Sequence, residues 1–126
     1  MSLTFVVGIL KDGEKFLAEQ RQPTESYFPN AVIFPGGHID EGESPEHALA
    51  REMNEELDIS ISEHYFLGEF IYPDGAKSLV FLITLWKGDP KSIEAQRLVW
   101  IDSAEQLTNE LDRTMFERAR SFSKEM

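Results

Sequence analysis

Three glutamates near the middle of the chain, Glu52, Glu55 and Glu56, have the spacing that places side chains on one side of an α-helix. At about 100° per residue, all three carboxylates fall within an arc of roughly 100° around the helix axis. Repulsion between like charges at this spacing costs an isolated helix about 0.2–0.5 kcal/mol per pair. Hard divalent cations such as Mg²⁺ prefer oxygen ligands, and carboxylates are common among them. The spacing therefore favours a metal site over a solvated helix face.

Negative charge is concentrated around these glutamates. The segment 40–58 contains eight acidic residues and one basic residue, Arg51, so it carries −7 of the net charge of −11. A protein this acidic repels nucleic acid, which is therefore not an expected partner. A polyphosphate substrate would need a cation between its own charge and that of the protein.

The helix that would carry the glutamates has a clear beginning. Ser44 can cap the helix N-terminus with its hydroxyl, and Pro45 suits the first helical position. We predict a helix from Pro45 to about Leu57, with Leu49, Met53 and Leu57 as one apolar stripe facing the core. The glutamates lie beside that stripe and not opposite it, which places them at the edge of the protein interior.

Strands dominate the rest of the chain. Apolar patterning predicts strands at residues 5–10, 15–20, 31–34, 65–72, 77–86 and 98–101. The Pro-Gly-Gly sequence at residues 35–37 predicts a sharp turn, and residues 38–44 a polar loop. Asp102 or Ser103 can cap a short helix that reaches Leu107, and residues 111–122 predict a final helix. We therefore expect a single α+β domain over residues 1–126, with helices packed on the faces of a mixed sheet.

The segment 37–59, GHIDEGESPEHALAREMNEELDI, resembles the Nudix box of the MutT-like hydrolases. That motif reads glycine, five residues, glutamate, seven residues, then R-E-U-x-E-E-x-G-U, where U is aliphatic. The matching positions are Gly37, Glu43, Arg51, Glu52, Met53, Glu55 and Glu56. The preceding Phe-Pro-Gly at residues 34–36 is also typical of the family. The resemblance implies an αβα sandwich with the box helix and a C-terminal helix, and a metal-dependent pyrophosphohydrolase.

One position departs from the motif. Asp58 stands where the pattern has glycine, which suits a left-handed residue at the end of a helix. Aspartate tolerates that conformation better than most residues. We expect a small stability cost and intact chemistry.

Metal ligands follow from the resemblance, position by position. It implies that Glu52 and Glu56 bind Mg²⁺, with Mn²⁺ as a substitute and the Gly37 carbonyl as a further ligand. Glu55 would be either another ligand or the base that activates water, since family members differ. Glu94 lies in a loop where several members place an extra ligand or a candidate base. An ordinary loop acid explains Glu94 equally well.

The resemblance also implies roles outside metal binding. Arg51 would pair with Glu43 and orient the box glutamates. Arg21 ends the second strand, where an arginine contacts substrate phosphate, although a surface charge is the plain alternative. Phe34 could pack against a base or ribose, or belong to the core. Asp112 could bind a base edge, or simply cap the last helix.

Substrate choice depends on residues outside the box. The segment 85–101 resembles the nucleoside-triphosphate branch, which converts (d)NTPs, including oxidised ones such as 8-oxo-dGTP, to a monophosphate and pyrophosphate. Tyr72-Pro73 resembles the proline marker of the ADP-ribose branch, but the same residues also fit a hairpin turn. Hydrolysis of ADP-ribose or another nucleoside-diphosphate-linked substrate is therefore the alternative. A non-catalytic nucleotide-binding module on the same fold is the other.

Several classes of protein and site are not expected. The chain has no cysteine, which excludes disulfides and thiolate chemistry, and His38, His47 and His64 do not have a zinc-binding spacing. No basic and apolar leader is visible at the N-terminus, and the longest apolar run, residues 79–86, is far below the about 20 residues of a membrane span. We expect a cytoplasmic enzyme, monomeric or homodimeric, whose partner is a nucleotide.

Overall fold

The computed structural model describes residues 3–126. In chain order, the strands are β1 (Thr4–Asp12), β2 (Lys15–Gln20), β3 (Val32–Ile33), β4 (Gly36–His38), β5 (Ser60–Ile71), β6 (Lys77–Lys87) and β7 (Arg97–Ile101). Helix α1 (Pro45–Leu57) follows β4, and a 3₁₀ helix (Ala104–Gln106) precedes helix α2 (Glu110–Glu125). Within residues 3–126, neither α-helix combines the length and apolar character needed to cross a bilayer.

Strand β1 is the centre of a mixed sheet. It pairs in parallel with β6, from Thr4 opposite Lys77 to Leu10 opposite Ile83, and β5 continues antiparallel to β6. It also pairs antiparallel with β2 and β4. Strand β2 in turn pairs with β3 and with β7. The predicted mixed sheet is confirmed.

One helix covers each face of this sheet. Successive side chains of a strand point to opposite faces, and β1 divides its residues accordingly: Val6 and Leu10 pack with α1, whereas Val7 and Ile9 pack with α2. Both groups are buried, so the protein has two apolar cores separated by the sheet. This arrangement is the αβα sandwich that the motif implied.

Helix α1 agrees with its prediction at both ends. The Ser44 hydroxyl accepts a hydrogen bond of 3.1 Å from the His47 backbone N–H, and Pro45 is the first helical residue. The predicted stripe is buried, with Leu49 1% exposed and Met53 and Leu57 fully buried. The capped start and the buried stripe together fix the position of the helix, and therefore of its glutamates, against the sheet.

Asp58 ends α1 in the left-handed conformation, with φ 57° and ψ 43°. Its backbone N–H donates to the Asn54 carbonyl at 3.0 Å, and its exposed carboxylate lies 3.3 Å from Lys91 Nζ. The backbone geometry that glycine would supply is therefore present with aspartate.

We expect Asp58→Gly to change the free energy of unfolding by less than about 1 kcal/mol, or to raise it slightly. Glycine relieves the left-handed strain, while the exposed ion pair that is lost contributes about 0.2–1 kcal/mol. Urea unfolding of the two proteins measures the difference, and Lys91→Met removes the ion pair alone as a control. A loss above about 2 kcal/mol would show that the Asp58 side chain has a larger structural role than one surface pair.

Two elements differ from their predictions. Residues 36–38 were expected to form a turn and a loop, but they form β4, which pairs with β1 between Phe5 and Val7. A side chain at Gly36 would collide with the Val6 carbonyl, so glycine permits this close pairing. Strand β5 begins at Ser60 instead of residue 65, because its first residues pair with the far end of β6, Ser60 opposite Lys87. Both differences come from partner strands that are distant in sequence.

Candidate active site

A group of four glutamates lies where the end of α1 faces β2, and we call it the carboxylate cluster: Glu19, Glu52, Glu56 and Glu94. Glu52 and Glu56 come from α1, the first 8% exposed and the second half-buried. Glu19 comes from β2, is 5% exposed and shares a side-chain hydrogen bond with Glu56. The cluster therefore combines carboxylates from the helix, the sheet and a loop.

Loop residues 88–96 bring Glu94 to the cluster. The Lys91 backbone N–H donates to the Leu57 carbonyl at 2.9 Å, and the Ile93 N–H donates to the Glu56 carbonyl at 3.4 Å. At the other end of the loop, the Gln96 N–H donates to the Gln20 carbonyl at 2.8 Å. The loop is thus attached to the end of α1 and to β2, and the charge of Glu94 acts on the helix glutamates.

Burial and mutual repulsion disfavour the charged forms of the clustered carboxylates. Burial, together with the negative charges of Glu19, Glu94 and Glu52, raises the pKa of Glu56 to about 9. Burial also raises the pKa of Glu19 to about 7, against the lowering effects of the hydrogen bond with Glu56 and the charge of Arg21. The pKa of Glu52 is raised by burial in spite of Arg51. Such a concentration of uncompensated acids is typical of a functional site.

Arg51 organises a second group of acids beside the cluster. Its Nε and Nη2 atoms donate to the two carboxylate oxygens of Glu43, at 2.8 and 2.9 Å. The hydrogen bonds from Arg51 hold the pKa of Glu43 at about 2. Nη1 donates to Glu52 at 2.9 Å and to Glu55 at 3.3 Å, and Nη2 donates to the His38 carbonyl at 3.0 Å. The Arg51–Glu43 contact that the motif implied is therefore present in bidentate form.

The three helix glutamates divide between these two groups. The Glu55 side chain is 52% exposed and bound to Arg51, whereas Glu56 turns toward β2 and Glu19. Glu52 lies between them, within reach of Arg51 and of the negative charges in the cluster. Among residues 3–126, no ion pair includes Glu19 or Glu56.

Arg21 lies at the edge of the carboxylate cluster, close enough for its charge to lower the pKa of Glu19. Its Nε donates to the Tyr27 carbonyl at 2.8 Å, and its Nη2 lies 3.2 Å from a Glu25 carboxylate oxygen. The guanidinium therefore borders the cluster while it is held by the loop that follows β2.

Asp112 and Phe34 lie together on the α2 side of the sheet. The Phe34 ring is 3% exposed and belongs to the core, which was the second of the two roles expected for it. Asp112 is 7% exposed and its Oδ2 atom has no hydrogen-bond partner. Burial raises its pKa to about 7, although a hydrogen bond from the Phe34 backbone lowers it. The capping explanation of Asp112 is wrong, because Asn109 occupies the N-cap and Asp112 lies inside the first turn.

Comparison with known proteins decides the family. The family model described as the NUDIX domain matches residues 3–125. The chain belongs to the Nudix family. An 8-oxo-dGTP diphosphatase of Escherichia coli is 34% identical over 103 residues, which are 79% of this chain and 79% of that protein. An 8-oxo-dGTP diphosphatase of Haemophilus influenzae is 35% identical over 100 residues, 75% of this chain and 72% of that protein.

Solved structures confirm the Nudix fold. The crystal structure of a MutT NUDIX hydrolase from Burkholderia pseudomallei superimposes with a TM-score of 0.82 at 21% identity, covering 94% of this chain and 98% of that one. The family match and the identity to the Escherichia coli enzyme show that the protein is a Nudix hydrolase, an enzyme that acts on phosphoanhydride bonds. Hydrolases of this family generally use divalent metal ions.

The Nudix side chains fit a divalent cation in three respects. The cluster brings four carboxyl groups together, and no arginine of the described chain forms an ion pair with Glu19 or Glu56. One buried oxygen, Glu19 Oε2, has no partner. Gly37 lies directly against the Glu52 carboxylate, so that a side chain there would fill the space around it. Within residues 3–126 no three acidic or histidine side chains are arranged to hold an ion as they stand, so cation binding requires these side chains to move.

Glu19 lies outside the Nudix box and was not among the site residues predicted from the sequence. A signal was present: in β2, Leu17 and Glu19 lie on the same face, and Leu17 is fully buried. An acid at an inward position of a strand is unusual, because burying a carboxylate is costly without a partner.

Proposed function

We propose that this Nudix hydrolase cleaves a (d)NTP, including oxidised ones such as 8-oxo-dGTP, to a nucleoside monophosphate and pyrophosphate with Mg²⁺ as the metal. The observation that carries the proposal is the carboxylate cluster, which contains Glu52 and Glu56 of the Nudix box and lies beside Arg21. The other two motif glutamates, Glu43 and Glu55, bind Arg51 next to it. The names of two relatives support the substrate class, since the Escherichia coli and Haemophilus influenzae proteins are both named 8-oxo-dGTP diphosphatase.

Glu52 and Glu56, with the Gly37 carbonyl, hold the metal in this proposal. A bound divalent cation supplies charge neutralisation at the phosphates and lowers the pKa of water. The oxygen of water bonds to a phosphorus atom, the phosphoanhydride bond breaks, and pyrophosphate leaves with the bonding electrons. Glu55 or Glu94 accepts the proton of the attacking water. Rigid placement of these groups on α1 and its attached loop contributes most of the rate, because phosphoryl transfer depends mainly on positioning and electrostatics.

Arg51 and Glu43 act as positioning residues in this proposal. Their bidentate pair fixes the guanidinium, and the remaining Nη1 hydrogen bonds fix Glu52 and Glu55 on the helix. Arg21, at the edge of the cluster, contacts a substrate phosphate.

Asp112 recognises the base in this proposal. Its unpartnered buried oxygen can accept a hydrogen bond from a base edge, and its carboxyl can donate one when protonated. The Phe34 backbone forms a hydrogen bond with Asp112 and so helps to position its carboxyl, while the Phe34 ring packs in the core.

A substrate screen tests the proposal. Purified protein with Mg²⁺ or Mn²⁺ is incubated with dNTPs, NTPs, 8-oxo-dGTP, ADP-ribose, diadenosine polyphosphates and nucleotide sugars, and products are separated chromatographically. We expect a monophosphate and pyrophosphate from a triphosphate, and no products after chelation of the metal. Preferential cleavage of ADP-ribose or another diphosphate would contradict the substrate class. Binding of nucleotides without turnover, with either metal, would contradict the enzymatic activity.

A further inference from the structure

Glu19 is a buried acid in a strand whose neighbours offer it no partner. It is 5% exposed on the α1 face of β2. The residues opposite it in the adjacent strands are Ile33 in β3 and Leu98 in β7, both apolar. Its Oε2 atom makes no hydrogen bond. A carboxyl in such a position is costly to bury unless another group binds it.

The cations near Glu19 are engaged elsewhere. Arg21 donates to the Tyr27 carbonyl and pairs with Glu25. Arg51 is shared among Glu43, Glu52 and Glu55. The side-chain partner of Glu19 is therefore another acid, Glu56. Two carboxyl groups in direct contact need either a shared proton or a cation between them.

We propose that Glu19 is a cation-binding residue of the active site, contributing a carboxylate oxygen to the same divalent ion as Glu56. The proposal rests on the metal dependence argued under the proposed function and extends the site beyond the Nudix box. Two observations support the proposal: Glu19 contacts Glu56, and the buried Oε2 atom of Glu19 has no hydrogen-bond partner. The cation site would then draw ligands from two layers of the sandwich, α1 and the sheet, and binding would tie the end of α1 to β2.

Mn²⁺ binding in the absence of nucleotide tests this role. Free Mn²⁺ is measured by electron paramagnetic resonance during titration of the wild-type protein, Glu19→Gln and Glu14→Gln. Glu14 is the matched control, because it is an exposed glutamate in the turn before the same strand. We expect Glu19→Gln to weaken Mn²⁺ binding about tenfold or more, and Glu14→Gln to leave it unchanged. The melting temperature of metal-free Glu19→Gln should equal or exceed that of the wild type, and Mn²⁺ should raise it less.

A second variant, Glu19→Asp, retains the charge but shortens the reach of the carboxylate, and it should also weaken Mn²⁺ binding. Equal Mn²⁺ affinity in the wild type and both Glu19 variants would overturn the proposal and show that Glu19 only shares a proton with Glu56. Turnover by the wild type in the substrate screen would then leave the proposed function intact. If the wild type itself bound no Mn²⁺ and showed no turnover, both the role of Glu19 and the proposed function would be overturned.

Discussion

Replacing Glu56 by Gln lowers turnover at least about a hundredfold and leaves the protein folded; this is the largest effect we expect. Glu56 lies at the centre of the carboxylate cluster, in contact with Glu19 and under the influence of Glu52 and Glu94. Glutamine has nearly the same shape but removes the charge that the proposed metal site needs. The metal-free variant should be at least as stable as the wild type, because burial and like charges disfavour the ionised Glu56 carboxylate.

Initial rates at saturating Mg²⁺, with circular dichroism as the check on folding, measure this effect. Glu55→Gln should also reduce turnover by orders of magnitude, because Glu55 is either a ligand or the base in the proposed mechanism. Glu46→Gln is the control, since Glu46 is exposed in the first turn of the same helix. Full activity in both Glu55→Gln and Glu56→Gln would rule out the mechanism proposed for this site.

The gain in the free energy of unfolding on Asp112→Asn is expected to be about 2–3 kcal/mol larger at pH 8 than at pH 5. Burial raises the pKa of Asp112 from its ordinary 3.8 to about 7 in the folded protein. Below the ordinary value, the group is protonated in both the folded and the unfolded chain. Between pH 3.8 and about 7, only the folded chain keeps the proton on Asp112. The stability that the protonated carboxyl contributes is therefore lost as the pH rises through about 7. At pH 8 the wild type must bury a charge that asparagine lacks.

Urea unfolding at pH 5 and pH 8 compares the wild type with Asp112→Asn. The expected change in the effect of the substitution follows from about 1.36 kcal/mol for each pH unit between pH 5 and the pKa of Asp112 in the folded protein. Asp102→Asn is the control, because Asp102 is exposed and its loss removes the same charge. An equal effect of Asp112→Asn at the two pH values would show that the Asp112 carboxyl does not change its protonation state on folding in this range.

Local sequence was sufficient for the box helix. Ser44 and Pro45 define its start, the stripe of Leu49 and Met53 defines its buried face, and each signal acts within a few residues. The same holds for the left-handed end at Asp58, which depends only on the preceding turn. The contact between Arg51 and Glu43 also follows from the motif, since helix geometry and one short loop bring the two together. Neighbouring residues determine such features, so the sequence by itself determined them.

Contacts between distant parts of the chain decided the rest. Glu19 joins Glu56 only because β2 lies in the sheet with its inward face under the end of α1. Gly36–His38 becomes a strand because β1 offers it a partner, and Asp112 loses its solvent because α2 packs over the sheet. Strand pairing and burial depend on interactions between residues far apart in sequence, and a local sequence pattern does not show which residues will meet. Tertiary structure alone therefore decided which acids meet at the site and which of them lose contact with water.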